Sequence, residues 1–356
     1  MKTTVTHRRS GIALMVVMIA VAVLSFLAAG FAIMMKVETK LAQNAGSEQE
    51  LLWLGRSGME YARYILAQQV NIANQPYDSL NQIWAGGPGD GSNILSTLSL
   101  KDYPLGNGFF TVTIVDLERK VNINIVDDEV LEQAFRLVGI DAGEAPMIAS
   151  SILDWVDPND DPRLNGTESS YYQGLNPPYF AKNAPIDDLS ELLLIRGVTP
   201  EMYWGSNATN HPPAFFQGDM GRANFQENYY DYACGLVDIF TPISTGKVNI
   251  NTASLIVLQM IPGVDENIAQ CIIDTRNGAD DVDGTEDDKP FENFGEVINC
   301  GVANQDISRM SRYGDVRSHA FQVTVDARVG GYERQFVAIL GRNSATDVQV
   351  LSFYWK

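Results

Sequence analysis

The feature that most constrains this chain is the stretch from Ile12 to Met35, which carries no charged side chain. As a helix rising about 1.5 Å per residue it would reach roughly 36 Å, more than the ~30 Å hydrocarbon core of a bilayer. Lys2, Arg8 and Arg9 precede it, whereas the chain beyond it turns acidic. The positive-inside bias therefore leaves the short leader in the cytoplasm and exports the rest.

Three readings of that junction compete. A secretory signal would have a shorter apolar region and a cut after it, for which Ala28-Ala29-Gly30 could serve; a plain anchor would not be cut at all. The third places the cut between Gly11 and Ile12, so that the hydrophobic helix survives. The leader, short, basic and ending in Gly11, resembles those of type IV prepilins, and the third reading is preferred for that reason. Past the span, Leu41, Leu51, Leu52, Leu54, Met59, Tyr61, Ala62, Ile65 and Leu66 fall near helical spacing. This predicts a helix over 12–75, membrane-embedded over 12–35 and amphipathic beyond, ending before Pro76 and Gly86-Gly87-Pro88-Gly89. A break near Asn44-Ala45-Gly46-Ser47, giving two helices, is the other reading.

β-branched and aromatic runs occur at 109–117, 319–329, 333–341 and 348–355. They flank a helix-rich middle. The predicted class is α+β: a pilin-like head of residues 76–120 and 316–356, whose small antiparallel sheet packs on the long helix, interrupted by a mainly α-helical insert over 121–315. Inside the insert, Lys120-Val-Asn-Ile-Asn124 recurs as Lys247-Val-Asn-Ile-Asn251. Apolar helical stretches follow, with glycine turns at Leu137-Val138-Gly139-Ile140, Leu194-Ile195-Arg196-Gly197-Val198, Met260-Ile261-Pro262-Gly263-Val264 and Ile298-Asn299-Cys300-Gly301-Val302. These resemble helix-hairpin-helix units of a SAM-like domain. Such units often bind DNA, but a phosphate backbone needs basic neighbours, and here the chain has a net charge of −19 with Asp265-Glu266 directly after one turn. No nucleic-acid partner is expected.

Two acidic segments could hold a hard cation. Asp280, Asp281, Asp283, Asp287 and Asp288 crowd around Gly284, and oxygen ligands on a flexible turn suit Ca²⁺. The match to an EF-hand loop is partial, since Lys289-Pro290 stands where the closing glutamate belongs. The second segment, 154–172, offers Asp157, Asn159, Asp160, Asp161 and Glu168. There the preferred reading is structural, with Asp154 and Asp157 as caps and Trp155 and Tyr172 in the core. The three cysteines show no metal spacing. Cys271 and Cys300 flank the first acidic loop, so they are the first guess for a disulfide, three buried free thiols being the alternative. His7, His211 and His319 are the only histidines, and no nucleophile or phosphate-loop motif is present. An enzyme is not expected.

Arg9-Ser10-Gly11-Ile12-Ala13-Leu14, Asp154-Trp155-Val156-Asp157, Asn165-Gly166-Thr167-Glu168, Tyr171-Tyr172, the doubled Val-Asn-Ile-Asn and Phe336-Val-Ala-Ile-Leu-Gly-Arg342 together resemble the K-type minor pseudopilins of type II secretion systems. That resemblance implies cleavage and N-methylation at Ile12 by a prepilin peptidase, and a single-pass anchor in the inner membrane with the head in the periplasm. It implies assembly with minor pseudopilins I and J, the major pseudopilin and the inner-membrane assembly platform, a place at the pseudopilus tip where assembly starts, and calcium in the large domain. Val16 stands where most pilins carry a glutamate that meets the next subunit, a departure that fits a terminal position. A minor pilin of a type IV pilus and a membrane-tethered DNA receptor are the competing readings.

Overall fold

The computed structural model describes residues 10–89, 91, 94–205 and 232–356. The leader through Arg9 and His211 lie outside the described residues. Helix α1 runs unbroken over Ser10–Gln69, so Asn44 to Ser47 are helical and the two-helix reading fails. It stops short of residue 75 because the chain turns at once: Asn71 N donates to Gln68 O and Asn74 takes a left-handed φ of 65° ahead of Pro76.

After α1 come β1 (Tyr103–Leu105), β2 (Gly108–Asp116), β3 (Val121–Asn122), α2 (Asp128–Val138), α3 (Ala145–Val156), α4 (Ser169–Tyr172) and α5 (Pro200–Trp204). Then follow α6 (Leu236–Ile239), β4 (Phe240–Thr241), β5 (Val248–Asn249), α7 (Leu255–Gln259), α8 (Glu266–Arg276), α9 (Asn304–Met310), β6 (Gly314–Asp315), β7 (Ala320–Val329), β8 (Tyr332–Ser344) and β9 (Asp347–Trp355).

Five strands form one antiparallel sheet in the order β1-β2-β7-β8-β9. Alternation decides which face is covered: Phe110, Val112 and Ile114 of β2 are buried with Val323 and Val325 of β7 and with Phe336 and Ala338 of β8. Against that face lies the upper half of α1, burying Leu51, Leu54, Ala62, Ile65 and Leu66, which share one face of the helix. Burying a side chain of this size stabilises by about 1.5–3 kcal/mol. Two glycines allow the close approach. A Cβ on Gly55 would stand 2.3 Å from the Phe336 ring, and one on Gly58 would stand 2.4 Å from Val325.

A second core fills the middle of the sequence, with Leu131, Phe135, Ile148, Trp155, Tyr172 and Phe240 among its buried members. Its helices reverse at glycines that adopt left-handed backbone, with φ of 98° at Gly139, 87° at Gly197, 96° at Gly263 and 88° at Gly301. The repeated Val-Asn-Ile-Asn builds the same device twice. β3 pairs in parallel with β4, and β5 with β6. Asn124 donates to Ile186 O at 2.9 Å and accepts from Ile186 N at 2.7 Å, while Asn251 does the same with Phe291 at 3.0 and 2.9 Å.

Where this second core leaves the sheet matters for function. The chain departs after Asp116 and returns before Ala320, and Asp116 and Phe321 are register partners at one end of the sheet. That end lies by the C-terminus of α1, since Arg342 donates to Leu66 O and Asp78 N donates to Val316 O. The opposite end, at Gly108, touches Leu54. The inserted region thus emerges from the end of the sheet farthest from the apolar start of α1.

Candidate assembly helix and acidic sites

Among the described residues the head reaches down α1 to Glu48 and Asn44, through Arg334 and Tyr332, and the apolar run before them is bare. Ile12 is 70% exposed, Val16 59% and Phe26 81%. Over its most apolar eighteen-residue window the mean hydropathy is 2.9, enough in length and composition to cross a membrane. The polar side chains in and just beyond the run satisfy themselves within the helix, Ser25 donating to Val21 O and Thr39 to Met35 O, each at 2.8 Å. Such internal pairing is what a lipid environment demands. Gly11 and Ile12 are both helical, in the second and third residues of α1.

The five aspartates of the 280–288 loop are not gathered on a common point. Asp287 Oδ2 accepts from Ala279 N at 2.6 Å and Asp280 N at 3.2 Å, and these bonds with Thr285 hold its carboxyl below the usual range. Asp288 accepts from Gly284 N at 2.8 Å, Asp280 from Val282 N at 2.9 Å, and Asp281 has a left-handed φ of 57°. Asp283 is spent on Arg276, which it meets at 3.1 and 3.0 Å through both oxygens. Arg276 is itself buried and also donates to Ile250 O and Ala253 O, so Asp283, though solvent-exposed itself, is engaged in neutralising a core cation. Cys271 and Cys300 are joined by a disulfide, with Cα atoms 5.6 Å apart. Cys234 is a free, half-buried thiol whose pKa is pushed up to about 11 by burial and then by Asp238.

Glu168 lies in the other acidic segment. Both its carboxylate oxygens are buried and no donor faces them. Burial, followed by the charges of Asp154, Asp160 and Asp157, pushes its pKa up to about 7. Asp154 does not cap a helix as the spacing suggested. It is fully buried within α3 and accepts from Arg163 Nη1 at 3.0 Å, an arginine that also meets Asp157 at 2.7 Å. The backbone is pressed onto it: a Cβ on Gly166 would fall 1.9 Å from Asp154 Oδ2, so only glycine fits. Trp155 and Tyr172 are buried and meet edge to face at 5.4 Å. Among the described residues no three His, Cys, Asp or Glu side chains are grouped closely enough to hold an ion as they stand. By donor chemistry the set around Glu168 still suits a hard cation, because an unpartnered buried carboxylate among three others is costly without one.

A helix long and apolar enough at its start to cross a membrane, held on an antiparallel sheet at its end, gives the chain the build of a pilin-type subunit with an inserted helical region. Residues 114–205 match the family model for the type II secretion system (T2SS), protein K. The chain is 24% identical over 262 residues to the type II secretion system protein K of Klebsiella pneumoniae, an alignment spanning 69% of this chain and 67% of that protein. The corresponding protein of Pseudomonas aeruginosa is 22% identical over 358 residues, 97% of this chain and 92% of its own. The fold is similar, with a TM-score of 0.62 at 17% identity, to a chain in the crystal structure of the GspK–GspI–GspJ complex from the enterotoxigenic Escherichia coli type 2 secretion system, covering 88% of this chain and 99% of that one. In sequence and fold the chain is thus similar to protein K of type II secretion systems, a minor pseudopilin.

Proposed function

We propose that the chain forms the tip of a periplasmic pseudopilus and starts its assembly, as a structural subunit without catalytic activity. The observation that carries this is the placement of the insert. It leaves the sheet at the end remote from the anchor, so its bulk stands above the head, where a further subunit in a helical array would otherwise pack. Val16, exposed and without charge, offers no carboxylate to a neighbour's amino terminus. We read the insert as two SAM-like units built on the repeated Val-Asn-Ile-Asn, used for packing and not for nucleic acid. The solved relative is a complex with GspI and GspJ, which makes minor pseudopilins I and J the first partners to expect here, with the major pseudopilin and the inner-membrane assembly platform next. Cleavage after Gly11 by a prepilin peptidase and N-methylation of Ile12 would leave α1 as the inner-membrane anchor.

Two measurements test the reading. Mass spectrometry of the membrane-extracted protein should find a methylated Ile12 start, and affinity isolation should recover the I and J subunits in near-equal amounts. Retention of Met1 in assembled material, or labelling along the whole fibre at the abundance of a major subunit, would overturn it. Calcium is a separate proposal, with Asp154, Asp157, Asp160 and Glu168 as its best-fitting oxygens and Asp280, Asp281, Asp283, Asp287 and Asp288 as a second set. Ca²⁺ should raise the melting temperature, and Glu168→Gln should abolish that rise if the first set binds.

A further inference from the structure

Four of the seven buried charged side chains among the described residues sit at the joint between sheet and insert: Asp78, Asp116, Glu118 and Arg342. Arg342, on β8, is committed to Asp78 and to the carbonyls of Ser318 and Leu66. Asp116, at the end of β2, accepts from Glu118 N at 2.8 Å, Ser318 Oγ at 2.6 Å, Thr252 Oγ1 at 2.5 Å and Asn249 Nδ2 at 3.3 Å. Its four donors already spend that carboxylate's capacity.

Glu118 is different. It is 0% exposed, its Oε1 accepts from Thr245 N of the insert at 3.2 Å, and its Oε2 has no partner. Asp116 is the charge that faces it from β2. From the segment before β7, His319 offers its backbone amide while its ring meets Arg342 O at 2.9 Å. Among the described residues of the insert, the neutral Thr245 and the amide of Asn249 face it, the latter donating to Glu118 O at 2.8 Å. Arg119 follows directly in sequence, and Asp78 lies beyond Asp116.

We propose that the closed joint holds one proton on Glu118, and that losing this proton loosens the insert from the sheet. Burial pushes the Asp116 carboxyl up as well, but four donors favour its charged form while Glu118 Oε2 has none, so the proton belongs on Glu118, whose ionisation would add a second buried negative charge. Burial first and Asp116 second push its pKa up to about 8. An opened joint returns the carboxyl to water, where it ionises near its ordinary value. Opening therefore releases a proton, so higher pH favours the open joint across the window between those two values, and above about 8 the effect levels off.

Hydrogen exchange on the full chain in detergent, corrected for the intrinsic rate, reads the opening directly. Peptides covering 117–122 and 245–252 should open about tenfold more per pH unit from about pH 5 to about pH 8, then plateau, while the centre of β7 stays flat. Glu118→Gln should remove the slope, and Asp116→Asn should move the plateau to lower pH by relieving the repulsion. A wild-type joint whose protection does not vary with pH, a slope that survives Glu118→Gln, or a plateau unmoved by Asp116→Asn each sinks the proposal.

Discussion

At the scale of single residues, the head depends on side chains that are missing as much as on those present. Gly55 and Gly58 let α1 settle onto the sheet, whereas at Gly30 and Gly46 on the same helix an added Cβ would meet nothing within 4 Å. Gly55→Val should therefore destabilise the head by about 1–3 kcal/mol through overpacking against Phe336. Gly46→Ala should instead stabilise the helix by roughly 0.5–1 kcal/mol, since only backbone entropy changes there. Thermal melts of the detergent-solubilised protein distinguish the two, and equal effects would mean that the helix does not rest on the sheet as described. Asp78 and Arg342 make the complementary case, being 3% and 5% exposed. Asp78→Asn strands a buried guanidinium and should cost about 3–5 kcal/mol, although swapping both for apolar residues could cost far less.

Elements show which parts of this architecture can be read locally. The doubled Val-Asn-Ile-Asn was visible in the sequence, and the reason for its form is now plain: the second asparagine clasps the backbone of Ile186 in one copy and Phe291 in the other. Asn251 is 2% exposed, so Asn251→Ala leaves a buried amide and carbonyl unpaired and should cost about 2–3 kcal/mol in denaturant titrations. The less buried Asn124→Ala should cost less, and the reverse order would contradict the burial argument. Glycine turns and strand alternation were legible for the same reason, since backbone φ and a period of two are properties of neighbouring residues. Partnerships across long separations were not. Asp283 reads as a calcium ligand in its loop, yet the buried Arg276 claims it. Glu118 and Asp116 carry no motif, because their pairing with Thr245, Asn249 and Ser318 exists only after folding.

On the scale of the whole molecule, α1 joins two environments without coupling them. Among the described residues its first half touches nothing in the head, and its second half supplies one side of the head's core, so the apolar run and the globular fold do not share a core. The apolar run made a helix of membrane-crossing length evident from sequence, but the direction in which the insert projects depends on Asp116 and Phe321 sharing one end of the sheet. A charge placed midway along the apolar run tests the separation. Leu24 is 65% exposed and contributes to neither core, so Leu24→Arg should leave the melting temperature of the head unchanged. In the membrane the same change costs about 2.5–3.5 kcal/mol at the helix centre and should shift much of the protein into the alkaline-extractable fraction, with Leu24→Ile as the silent control. Loss of head stability in Leu24→Arg would show that the two halves of α1 fold as one unit, and the insert's height above the membrane would then no longer be set by an independent, rigid strut.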